Sequence, residues 1–145
     1  MTRWLDEDEQ HAWRAFLAAV ATVQTGLDAQ LQADARMPHA YYELLVRLSE
    51  APQRALRMSA LAEATGSSRS RLSHAVGQLE RLGWVRREPC PTDRRGQVAV
   101  LTEQGQQALA DAAPGHVEAV RRLLLDRLTP AQLQQLRTIS EAVTG

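Results

Sequence analysis

The 145-residue chain contains a single cysteine, Cys90, which excludes an internal disulfide. Lysine is absent, so all 17 basic side chains are arginines. Four histidines, His11, His39, His74 and His116, are scattered along the sequence. With one cysteine they form no zinc-ligand spacing, and neither a structural metal nor a cofactor is expected. No run of about 18 apolar residues occurs, which argues against a transmembrane helix and a membrane partner. The N-terminal stretch Thr2 to Glu9 is acidic, whereas a secretory signal begins basic and turns apolar, so a cytoplasmic protein is expected. No nucleophile-and-base pair, paired carboxylates or metal set is recognisable, and an enzyme is not expected. A net charge of one sign is also missing, since 17 basic residues meet 17 acidic ones.

That neutrality hides a division. Between Arg54 and Arg95 lie nine arginines against four acids, a balance of +5, and the rest of the chain carries the compensating −5. A basic middle between acidic ends suits a DNA-facing region on a neutral scaffold, although a solvated charge cluster gives the same count. The length suits one domain with one core. Trp13, Phe16, Leu17, Val20, Val23, Leu27 and Leu31 recur at three- and four-residue spacings, predicting an amphipathic helix from about Glu7 to Ala33. A second helix is expected from His39 to Glu50, ended by Ala51 and Pro52.

Two short helices then follow closely, Met58 to Thr65 and about Arg69 to Leu82. Gly66 stops the first, Ser67 or Ser68 caps the second, and Gly83 closes it. Helix, glycine turn and helix make a helix-turn-helix, an outline that ordinary helical hairpins share. Trp84 to Arg87 and Gln97 to Leu101 read as the strands of a hairpin with a long, polar, arginine-bearing tip. A hairpin in that place is the wing of a winged helix. Thr102 opens a helix over about residues 103–127, with a bend expected near Pro114 and Gly115. Thr129 and Pro130 open a last helix to about Val143. The fold class is therefore mainly α with a small β-wing. The winged helix-turn-helix occupies about residues 53–101, flanked by terminal helices over 1–36 and 103–145.

On the helix from Arg69 to Leu82, Leu72, Ala75, Val76, Leu79 and Leu82 gather on one side as the buried stripe. Ser70, His74, Gly77, Gln78 and Arg81 collect opposite, with Arg69 and Arg71 near the N-terminus. Reading a major groove needs hydrogen-bonding side chains at the N-terminal end of an inserted helix. Gly77 would let the backbone approach DNA closely. Arg94 and Arg95 at the hairpin tip would reach an adjacent minor groove, where the negative potential favours arginine. Asp93 would orient a guanidinium there by a fork-like ion pair, and Arg86 and Arg87 on the preceding strand are candidate phosphate contacts. Leu5, Trp13, Val117, Val120, Leu124, Leu128, Leu133, Leu136 and Ile139 supply more apolar surface than the winged lobe can cover, so the chain ends are expected to build a homodimer.

Leu56-Arg57-Met58-Ser59-Ala60-Leu61-Ala62, Leu79-Glu80-Arg81-Leu82-Gly83-Trp84-Val85, Asp93-Arg94-Arg95-Gly96 and Leu101-Thr102-Glu103-Gln104-Gly105 together resemble the MarR (multiple antibiotic resistance regulator) family across about residues 39–107. The aspartate-any-arginine wing followed by Leu-Thr and then glycine is the most specific element. The resemblance implies a dimeric winged helix bound to double-stranded DNA at a pseudo-palindromic operator. Ser68, Arg69, Ser70, Arg71 and His74 would face the major groove, Arg95 would enter the minor groove, and Asp93 would buttress it. It also implies a repressor released by a small aromatic or anionic effector, for which Trp13, His39, Tyr41 and Tyr42 are candidate crevice residues, though aromatics at helical spacing are more often core. Redox-sensing relatives use a cysteine near the N-terminus, and Cys90 is not in that place. An architectural DNA binder or a protein-interaction module would use the same winged fold, because fold alone does not decide function.

Overall fold

The computed structural model describes residues 1–145. It divides into two compact units, Leu31–Pro114 on the one hand and Met1–Gln30 with Gly115–Gly145 on the other. Helix α1 spans Glu7–Ala35, ending one residue before the Met37-Pro38 interruption, and α2 spans His39–Glu50. Strand β1 (Ala55–Arg57) leads directly into α3 (Met58–Thr65), and α4 spans Arg69–Arg81. The hairpin β2 (Val85–Cys90) and β3 (Asp93–Leu101) follows, then α5 (Glu103–Leu123) and α6 (Pro130–Thr144). The protein is thus mainly α with a small antiparallel sheet of order β1-β3-β2. No helix is long and apolar enough to cross a membrane.

The unit Leu31–Pro114 has one apolar core, to which Leu45, Leu48, Leu61, Leu72, Val76 and Leu79 each contribute fully buried side chains. Each helix reaches it with a stripe at helical spacing, so the turns between helices decide how the stripes meet. Gly66 ends α3 at φ 64°, a left-handed conformation that costs glycine little. Its neighbour Ser67 donates its backbone N–H to Ala62 O at 3.0 Å. Ser68 then caps α4 by accepting the Arg71 amide at 3.2 Å, which satisfies one of the free amides of the first turn. The helix stops one residue earlier than the apolar pattern suggests. Leu82 is the C-cap residue and half exposed, so it leaves the predicted buried stripe.

After Gly83 (φ 79°) the chain enters the wing, and a compact knot ties both ends of the hairpin to α5. The Thr102 hydroxyl donates to Gly83 O at 2.6 Å and accepts the Gly105 amide at 3.0 Å, while the Thr102 amide donates to Trp84 O at 3.0 Å. A Cβ on Gly105 would stand 2.1 Å from Trp84 O. The sequence Leu-Thr followed by glycine is therefore the joint that fixes the wing's base.

Two expectations change here. The hairpin strands run much further than Trp84 to Arg87 and Gln97 to Leu101, with Cys90 opposite Asp93 and only Pro91 and Thr92 between them. β1 was not expected at all. Its three residues pair with Val98, Ala99 and Val100 of β3.

In the other unit the Thr129 side chain and Gln132 form a reciprocal capping box at the start of α6. Gly26 of α1 sits so near Leu123 that a Cβ would fall 2.7 Å from its methyl groups. The last long helix of the pattern, residues 103–127, is shorter than predicted, because α5 ends at Leu123 and a 3-10 turn, Leu125–Arg127, follows. Pro114 lies inside α5, where its missing N–H leaves Ala110 O without a helical donor.

Candidate nucleic-acid interface

Placing α4 residues at 100° steps separates three stripes. Leu72, Val76 and Leu79 are buried. Ser70, Arg71, His74 and Arg81 are exposed, with Gln78 partly so between them. Ser73, Gly77 and Glu80, at positions i, i+4 and i+7, lie along one flank of the buried face. The exposed stripe begins at a capped helix N-terminus, where amides and dipole favour an anion. Ser68, Arg69, Ser70, Arg71 and His74 all lie exposed in this region.

The wing carries Arg94 and Arg95 on an irregularity rather than in a loop. Pro89 pairs with Gln97 and Cys90 with Asp93, so Arg94, Arg95 and Gly96 have no residue opposite them. Such an insertion bends a strand and re-aims its side chains, and both arginines are exposed. The Asp93 carboxylate accepts the Arg95 backbone N–H at 3.0 Å instead of gripping a guanidinium, which corrects the expected fork-like pair. Asp93 shapes the backbone that presents Arg95. Arg57, at the end of β1, donates to the Thr92 hydroxyl in the turn and so props the wing from its other side.

Arg86 and Arg87 have different surroundings although they are adjacent. Arg86 is exposed and pairs with Glu88 at 2.7 Å. Arg87 is largely covered. Its Nη2 donates to Ser73 O at 2.7 Å, its Nη1 to Ser73 Oγ at 3.1 Å, and its Nε lies 2.7 Å from Glu80 Oε1. A Cβ on Gly77 would stand 3.4 Å from Arg87 Nη2, so Gly77 has Arg87 as its neighbour rather than open space for DNA. Between α4 and the wing is a cleft of about 610 Å³, lined by Arg57, Arg69, Arg87, Arg94 and Arg95 with Asp93. Arg69 thus faces the wing, whereas Arg71 does not line the cleft. The contacts of Arg57, Ser73, Glu80 and Thr92 had no signal in the linear sequence, because each joins residues distant along the chain.

The residues considered for an effector crevice have distinct surroundings. Tyr42 is buried in the core, where desolvation, with a smaller contribution from Glu43, raises its pKa. Tyr41 packs against the same core. His39 Nε2 lies 3.3 Å from Glu43 Oε1, and Trp13, half exposed on α1, stands 6.3 Å from Phe16, ring centre to ring centre. Cys90 is buried at the wing turn, its thiol held below the ordinary range by hydrogen bonding to the Thr92 hydroxyl first, then to backbone groups and by the charge of Arg57.

Comparison with known proteins agrees with this arrangement. The family model described as MarR family matches residues 37–96. The solved structure of Sco3205, a MarR family transcriptional regulator from Streptomyces coelicolor in complex with DNA, is 53% identical, with 99% of this chain and 90% of that one covered and a TM-score of 0.95. AbsC, a MarR family transcriptional regulator from the same organism, is 43% identical, with 99% and 96% covered and a TM-score of 0.91. Transcriptional repressor MprA of Escherichia coli (strain K12) is 30% identical over 94 residues, 63% of this chain and 53% of MprA. The match spans about half the length of that curated relative. The capped helix α4, arginine-bearing wing, Thr102–Gly105 joint and likeness to Sco3205 and AbsC over 99% of the chain converge on one assignment: the chain belongs to the MarR family of winged-helix transcriptional regulators.

Proposed function

We propose that the protein is a repressor that binds a pseudo-palindromic operator in duplex DNA as a homodimer and is released by a small aromatic or anionic effector. The observation that carries the DNA reading is the exposed polar stripe on α4 beside the arginine-bearing bulge of the wing. In this reading Ser68, Arg69, Ser70, Arg71 and His74 meet the major groove, Arg94 and Arg95 the adjacent minor groove, and Arg86 a phosphate. The DNA-bound state of Sco3205 and the name of MprA as a repressor support it.

Dimerisation is supported by where apolar surface remains. Apart from Leu82, every large exposed hydrophobic residue, including Trp4, Trp13, Phe16, Val117, Leu133 and Ile139, belongs to the unit built from the chain ends. Apolar patches of that kind mark association surfaces. Effector release is supported by the arginine-lined cleft, where a bound small anion would compete with DNA for Arg69, Arg94 and Arg95. Footprinting on genomic fragments tests the reading. A discrete palindromic protection lost on adding a small phenolic acid is the expected result. Continuous coating would indicate an architectural binder, and no protection a protein-interaction module.

A further inference from the structure

We propose that Arg87 is a positioning residue that sets the spacing between the reading helix and the wing, and is not itself a DNA contact. The inference rests on the DNA-binding reading above. It concerns how two contact surfaces on different elements are held in register.

Arg87 is the third residue of β2 and stands opposite Ala99, which is completely buried. Its strand neighbour Arg86 projects to the other face and is exposed, as the alternation of a strand requires. The Arg87 guanidinium lies along the i, i+4, i+7 flank of α4. It spans Ser73, where it meets both backbone carbonyl and hydroxyl, and Glu80, seven residues further on. Gly77 sits between these anchors, where a Cβ would stand 3.4 Å from Arg87 Nη2, an ordinary van der Waals contact. Nε is out of solvent and faces Glu80 Oε1 without the alignment of a hydrogen bond, so charge holds that contact.

Three donors of one rigid plane are thus directed at two turns of one helix, a task suited to the planar fork of arginine and not to a point charge. The contacts engage or orient three of the five guanidinium N–H groups, on a side chain that is only 22% exposed. Breaking the contact would let the hairpin shift against α4. A groove-reading helix and a minor-groove arginine must land on DNA together, so a small shift affects both.

Two substitutions separate the roles by sign. If Arg87 bound a phosphate, Arg87→Lys would keep most of the affinity, and Glu80→Gln, which removes a negative charge beside DNA, would tighten binding. The positioning role predicts the opposite, a weakening of about tenfold for each single variant and little further loss in the double variant, as coupled partners show. For Arg87→Gln, which removes the cation, it also predicts an unchanged salt dependence, whereas a lost phosphate contact lowers the log–log slope by about 0.9.

The experiment is a salt titration of operator binding for wild type, Arg87→Lys, Arg87→Gln, Glu80→Gln and the Arg87→Lys/Glu80→Gln pair, with amide hydrogen exchange of residues 85–101 measured on the same free proteins; a slope lowered by about 0.9 in Arg87→Gln overturns the positioning role. Weaker binding at unchanged slope, with faster exchange in the wing, is expected. Tighter binding by Glu80→Gln, or wild-type affinity in Arg87→Lys, overturns the positioning role. A wild type that protects no DNA overturns the DNA reading instead, and the exchange data then decide the clamp alone, which unchanged wing exchange would refute.

Discussion

Arg95 stands on a three-residue insertion in β3, its amide held by Asp93, while Arg71 occupies the third position of a capped helix. Their electrostatic surroundings differ, and so do the expected losses. Arg95→Ala should weaken binding on every duplex and make the salt dependence shallower, because a cation in a groove acts with little regard to sequence. Arg71→Ala should lose about 1–3 kcal/mol chiefly on the operator and relax discrimination at one base pair. Affinities on operator and scrambled duplexes at two salt concentrations check both. Equal losses on the two duplexes for Arg71→Ala would remove it as a base reader. Gly105 gives a third expectation at this scale. A methyl group there meets the Trp84 carbonyl, which is backbone and yields little, so Gly105→Ala should destabilise the fold by about 1–3 kcal/mol or more, as overpacking does. Thermal unfolding measures it. The glycine was visible in the sequence as part of a motif, but its reason, a carbonyl from a residue 21 positions earlier, was not.

Among the elements, α3 and α4 were the most legible, because Gly66, Ser68 and Gly83 are local signals that need no tertiary partner. The wing was the least legible. Pro89 and Pro91 read as strand breakers, yet β2 is an edge strand, where a residue without an N–H is tolerated. β1 has only three residues and exists because β3 offers it a ladder. The capping box of α6 leads to a prediction at this scale. Thr129→Ala should cost about 1 kcal/mol of stability and leave base discrimination unchanged, since α6 belongs to the unit without α4. Calorimetry paired with the operator titration tests that separation, and a changed base preference would contradict it.

For the whole molecule, the apolar residues left exposed on the chain ends set the expectation of a dimer. Placing charges in that surface with Leu133→Asp and Ile139→Asp should yield a monomer at micromolar concentration, read by analytical ultracentrifugation, while the unit Leu31–Pro114 stays folded. A variant that remains dimeric would move the interface elsewhere. A symmetric dimer also requires its half-sites on one face of the duplex, about 10 bp apart. Inserting five base pairs between them should abolish tight binding, and unchanged affinity would refute the symmetric arrangement.

Helix positions, the glycine turn, the cap of α4 and the basic middle of the chain were determined by the sequence itself, because periodicity, capping and charge act over a few residues. The tertiary structure decided which arginines are available. Arg87 and Arg86 are neighbours in sequence with the same chemistry, yet strand alternation turns one toward Ser73 and Glu80 and leaves the other at the surface. Arg69 and Arg71 are likewise separated by the helix, one lining the cleft beside the wing and one outside it. Those outcomes depend on contacts between residues far apart along the chain, and such contacts exist only once the elements have packed.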